Sequence, residues 1–151
     1  MSDPASHEAT VTIEQTVRIA ASPSTVWSFW MDPELLTEWW ARAAEVVPEA
    51  GGLYRIHMNE GPTMRGEFLE LDPPHRLVFS FGWEQFEPDQ PLAPGTSRVE
   101  VTLTPDGDDT VLTLRHFDMP SSRAADHTQG WKLIVGERLV AAVAATGRAG
   151  A

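Results

Sequence analysis

Two neighbouring stretches, VEVTLTPDGDDTVLTLRHF from Val99 to Phe117 and SSRAADHTQGWKLIVGERLVAAVAAT from Ser121 to Thr146, follow different periods. In the first, Val99, Val101 and Leu103 alternate with Glu100 and Thr102. After the turn Pro105-Asp-Gly-Asp-Asp109, Leu112, Leu114 and His116 alternate with Thr113 and Arg115. A period of two marks a strand with one apolar face, so the segment predicts two strands joined at a hairpin turn. In the second, Trp131, Ile134, Val135, Leu139, Ala142 and Val143 share one helical stripe, with Lys132 and Glu137 off its centre. One long helix thus follows a sheet whose single apolar face it can cover. Gly130 and Gly136 lie inside that helix. Each costs up to about 1 kcal/mol relative to alanine, which points to close packing or a local irregularity.

Upstream, the period of two recurs. Tyr54, Ile56 and Met58 face one way after Gly51-Gly52; Met64, Gly66 and Phe68 share a face, with Arg65 and Glu67 on the outer side; Leu77, Phe79, Phe81 and Trp83 line a further strand. Near the start, Val11, Ile13, Val17 and Ile19 alternate with Thr12, Glu14, Thr16 and Arg18. Ser22-Pro23 then supplies a helix cap with proline at the first helical position. An apolar helix carrying Val26, Trp27, Phe29, Trp30 and Met31 ends at Asp32-Pro33, and a second short helix runs from Glu34 to Trp40. The predicted class is α+β: an antiparallel sheet wrapped around a long C-terminal helix, with two short helices after the first strand. Residues 11–147 read as one domain between a disordered arm, 1–10, and a tail, 148–151.

Composition bounds what such a domain does. At 151 residues and 16.7 kDa the chain has room for a core. The absence of cysteine excludes disulfide frameworks, thiolate zinc sites and cysteine nucleophiles. A net charge of -11 repels phosphate backbones and anionic lipid, so neither nucleic acid nor a membrane is expected as a partner. No basic, apolar leader opens the chain and no apolar run reaches membrane-spanning length, which leads to the expectation of a cytoplasmic protein. Phosphate-loop, nucleophile-elbow, zinc-protease and dinucleotide motifs are absent. The histidines at 7, 57, 75, 116 and 127 lack metal-ligand spacing. Neither a metal, nor a cofactor, nor a catalytic residue is assigned.

The element order, together with Ala21-Ser-Pro-Ser-Thr-Val-Trp27, Leu36-Thr-Glu-Trp-Trp40, Gly51-Gly-Leu-Tyr-Arg55, Gly66-Glu-Phe-Leu-Glu-Leu-Asp-Pro-Pro74, Arg76-Leu-Val-Phe79, Leu112-Thr-Leu-Arg-His116 and His127-Thr-Gln-Gly-Trp131, resembles the SRPBCC superfamily of START-like helix-grip proteins. Within it, the nearest resemblance is to the group named for homology to the activator of the heat-shock-protein-ninety ATPase. The resemblance spans about Val11 to Thr146 and implies a cavity between the sheet and the C-terminal helix.

By alternation, the side chains placed on that cavity are Trp40, Tyr54, Ile56, Met58, Phe68, Phe79, Phe81, Val101, His116, Trp131 and Val135. Mostly apolar with few polar handles, the set suits a small-molecule pocket, although each member also suits a filled core. His116 points to the apolar side, where it can meet a ligand or be satisfied by protein. His127 falls on the Trp131 face of the helix. One ring of Trp39-Trp40 can line the cavity while the other packs beneath the short helix. The acidic, proline-rich stretch from Glu84 to Gly95 reads either as a lid or as a surface loop. The expected function is binding of a small hydrophobic or aromatic ligand. The alternatives are a cyclase, dehydratase or hydrolase acting on a polyketide-like or aromatic substrate in the same cavity, and a co-chaperone-like regulator of a chaperone ATPase. The sequence leaves a homodimer open.

Overall fold

Ser22 has an extended backbone and its hydroxyl accepts from the amide of Thr25, so α1 (Pro23–Met31) starts where a cap and a proline coincide. Asp32 ends that helix and caps the next, α2 (Pro33–Leu36), by accepting from the amide of Glu34 at 2.9 Å. The computed structural model describes residues 9–59, 61–85 and 92–149. Of the predicted N-terminal arm, residues 1–8 lie outside this range, and Thr10 begins β1 (Thr10–Ile19). The remaining strands are β2 (Ala41–Val46), β3 (Leu53–Met58), β4 (Thr63–Asp72), β5 (Arg76–Phe81), β6 (Ser97–Asp106) and β7 (Asp109–Pro120). They form one antiparallel sheet in the order β1-β7-β6-β5-β4-β3-β2. The β6–β7 hairpin turns at Gly107, whose φ is +63°.

Three features differ from the sequence reading. The strand β2 carries only Ala, Arg, Glu and Val, with no clean alternation, and is held through its register with β3. The second helix is shorter than predicted: it ends at Leu36, and a turn carries the chain to Trp40. The covering helix is not uniform either. A 3₁₀ turn (Ser121–Arg123) leads into α3 (Ala124–Trp131), Lys132–Leu139 winds as a π-helix, and α4 (Val140–Ala149) follows. A β-carbon at Gly136 would lie 2.7 Å from the Gln15 amide nitrogen on edge strand β1, so the glycine admits that side chain at the irregular segment.

The predicted apolar strand faces turn inward, except that Val11 at the start of β1 is exposed. Ile19, Ile56, Phe68, Leu77, Phe79, Val101, Leu103, Leu112, Leu114 and Val135 are fully buried. Near its end β7 bulges: Ile13 pairs with His116 but Val11 with Met119, and Asp118 takes a positive φ of 62°. The extra residue shifts the alternation, so Met119 rather than Asp118 enters the core. The outer face carries ion pairs such as Arg76–Glu100 at 2.7 Å and Arg115–Glu14 at 2.7 Å. Exposed pairs of this kind contribute about 0–1 kcal/mol each.

Candidate functional site

Between the open end of the sheet and the first half of the covering helix lies a chamber of about 240 Å³. Its lining is Trp40, Phe81, Trp83, Trp131 and Ile134, with Met58, Pro62, Arg123, Asp126, His127 and Gly130. Aromatic rings meet around it: Trp40 and Trp131 have centroids 5.6 Å apart, Phe81 and Trp131 5.9 Å, Phe81 and Trp83 5.1 Å. Trp40, Phe81 and Trp131 are almost wholly buried. A hollow with such walls gains mainly from apolar contact.

Of the residues the sequence placed on the cavity, the structure brings Trp40, Met58, Phe81 and Trp131 together here. Tyr54, Ile56, Phe68, Phe79, Val101 and Val135 belong to the packed core below. The Tyr54 hydroxyl donates to the carbonyl of Trp30 at 2.7 Å, and burial pushes its pKa well above the usual value. His116 lies behind the wall rather than in it. Sequence reasoning assigned no role to Trp83, Ile134, Pro62, Arg123 or Asp126, although the strand pattern through Trp83 and the helical stripe through Ile134 already aimed those two inward.

Trp39 and Trp40 divide their work. The Trp39 ring nitrogen donates to the carbonyl of Phe29 at 3.0 Å beneath α1, while Trp40 reaches the chamber. Arg65 stays on the outer face, 3.4 Å from Glu84, whose carboxylate also accepts two bonds from Arg55 at 2.6 and 2.8 Å. This clamp holds the strand end that carries Trp83. The stretch read as either a lid or a surface loop is described only at its ends, since residues 86–91 fall outside the described range. The amide of Trp83 donates to the carbonyl of Leu92 at 2.8 Å, which brings those ends together.

Both inner histidines are fully engaged. The Trp131 indole N–H donates to His116 Nδ1 at 3.1 Å. His116 Nε2 therefore carries the proton and donates to Ser97 Oγ at 2.9 Å, which in turn donates to the carbonyl of Phe81 at 2.8 Å. The same logic governs His127. Its Nδ1 donates to the carbonyl of Arg123 at 2.9 Å, and its Nε2 accepts from the Trp83 indole N–H at 3.2 Å. Burial, with the nearby His127 as a smaller cause, pushes the pKa of His116 down to about 3; burial also lowers that of His127. Two neutral imidazoles thus fix the rings of two chamber tryptophans. Among the described residues no cluster of His, Asp and Glu could hold a metal ion, and no helix is long and apolar enough to cross a membrane.

An open antiparallel sheet gripping a C-terminal helix, with a hollow between them, defines a helix-grip protein of the SRPBCC superfamily. Residues 20–144 match the family described as Activator of Hsp90 ATPase homolog 1-like protein, and the chain belongs to that family. Solved structures agree. An AHSA1-like protein from Rhizobium etli is 36% identical, with 89% of this chain and 82% of that one covered and a TM-score of 0.70. A protein from Mesorhizobium loti is 22% identical at a TM-score of 0.78, covering 90% of this chain and 98% of that one. A Plasmodium falciparum protein described as an HSP90 activator is 20% identical at 0.65, covering 83% and 91%. The last two likenesses are likenesses of fold. A search of curated proteins found no significant match.

Proposed function

We propose that the protein binds a small apolar, ring-bearing molecule in the chamber between sheet and covering helix. The observation that carries this is the wall itself: Trp40, Phe81, Trp83 and Trp131 surround one hollow, and hydrogen bonds to protein hold two of those rings in place. Pre-set aromatic surfaces bind flat apolar molecules with little ordering cost. The histidines favour binding over catalysis. A general base needs an available lone pair, and those of His116 and His127 each accept an indole N–H.

Native mass spectrometry of freshly purified protein, followed by denaturing extraction, tests the reading. A stoichiometric small molecule of aromatic or hydrophobic character is the expected result. Bare protein, with a melting temperature that no member of a panel of aromatic compounds raises, would overturn it. The alternative of a chaperone-ATPase regulator has the family's description behind it. Stimulated ATPase turnover of a heat-shock-protein-ninety chaperone on addition of the protein would favour that alternative.

A further inference from the structure

Beside the chamber runs a groove of about 590 Å³, lined on its own side by Glu38, Trp39, Asn59, Leu133 and Arg138. Trp40, Met58, Gly130 and Ile134 line both hollows. Three of these four carry side chains, and Gly130 has none. A β-carbon built at Gly130 meets no heavy atom within 4 Å. The residue sits in ordinary α-helix, so no dihedral angle demands glycine there. Glycine in a helix still costs stability relative to alanine. Packing explains Gly136, where Gln15 approaches, but does not explain Gly130.

Size sets the rest. The 240 Å³ chamber exceeds the roughly 150 Å³ of a dry cavity that holds benzene, yet falls short of the roughly 300–1,000 Å³ usual for drug-sized ligands. It accommodates one or two fused rings. A longer ligand must extend out of the chamber, and next to Gly130 lies a groove where exposed Leu133 offers apolar surface and Arg138 and Asn59 offer hydrogen-bond donors. Glu38 in the same groove and the net charge of -11 favour uncharged oxygen atoms over a further anionic group.

We propose that chamber and groove form a single site for an elongated amphiphile: a flat apolar ring system in the chamber, and a flexible oxygen-bearing chain that passes Gly130 and lies along the groove. Gly130 is then the residue that decides ligand length. The proposal rests on the binding function above and deepens it by naming the ligand class.

Fluorescence titration with 2-naphthol and with its tri(ethylene glycol) monoether reads this preference as a ratio of two Kd values. The ether should bind wild type about tenfold more tightly, the gain expected from about 60 Å² of buried apolar tail. The ratio should fall to about one in Gly130→Leu, whose side chain would occupy the passage, and stay several-fold in Gly130→Ala. Leu133→Asp and Arg138→Glu, at exposed positions on the groove, should lower the ratio as well, so the test does not depend on Gly130→Leu folding. Equal affinity for both probes in wild type overturns the extension and leaves the binding function standing. A ratio that survives both Gly130→Leu and Arg138→Glu puts the tail elsewhere and also overturns the proposal. If neither probe binds, the proposal falls, and the native mass spectra decide whether the binding function falls with it.

Discussion

Two indole N–H groups end on two imidazole nitrogens, and protonating either imidazole would set a donor against a donor. His116 is enclosed by Ser97, Phe81, Trp131 and His127; His127 has Arg123 in the turn before its helix, Asp126 on that helix and Trp83 across from it. Because His116 titrates at about 3 when folded and near 6.5 when unfolded, only the unfolded chain takes up its proton between those values. Stability is therefore fully present above about pH 6.5 and declines as pH falls, by up to about 1.4 kcal/mol per pH unit for each such histidine. Urea unfolding at pH 6.5 and pH 5 checks this. His116→Phe should start lower, since Trp131 loses its acceptor, but show a shallower decline over that range. A second contrast separates wall from core. Trp131→Ala should weaken ligand binding about tenfold or more. Phe79→Ala should cost about 3–5 kcal/mol of stability with the chamber wall left in place, and Arg98→Ala on the outer face should do neither. Equal loss of affinity in all three would count against the chamber.

Among the elements, two glycines behave in opposite ways. A β-carbon at Gly66 in β4 would stand 2.2 Å from the Ser80 carbonyl oxygen on β5, a clash with backbone. Gly66→Ala should therefore be among the most damaging single-methyl changes, lowering the urea midpoint sharply or preventing folding. Gly130→Ala meets nothing and should raise stability by up to about 1 kcal/mol. The covering helix shows how an element can be right in kind and different in detail. Its apolar stripe through Trp131, Ile134, Val135 and Leu139 was readable as a helix because those side chains are all buried. The π-winding of Lys132–Leu139 was not readable, because it lies beside an edge strand distant in sequence, where Gln15 leaves no room for a β-carbon at Gly136. The strand β2 escaped detection for a related reason: its short, mixed side chains carry no period, and its partner β3 holds it through the backbone.

For the whole molecule, occupancy of the chamber should appear as stability. A ligand at a hundred times its Kd that binds only the folded state stabilises it by about 2.7 kcal/mol, so thermal unfolding with and without the extracted molecule should show a clear rise in Tm; no rise would mean that the molecule sits elsewhere or binds the unfolded chain equally. The α+β class, the inward faces of the strands, the helix cap at Ser22 and the exclusion of thiolate chemistry were all determined by the sequence alone, because each depends on a local period, a local cap or simple composition. Tertiary structure decided which aromatic residues are wall and which are core. Trp40 and Tyr54 are both buried rings in contact, 6.0 Å between centroids, yet only Trp40 borders the chamber. Alternation tells which side of a sheet a residue faces, but whether space remains in front of it depends on how far the helix stands off the sheet. Contacts between residues far apart in the chain act on that distance, among them the Trp83–His127 and Trp131–His116 bonds and the approach of Gln15 to Gly136.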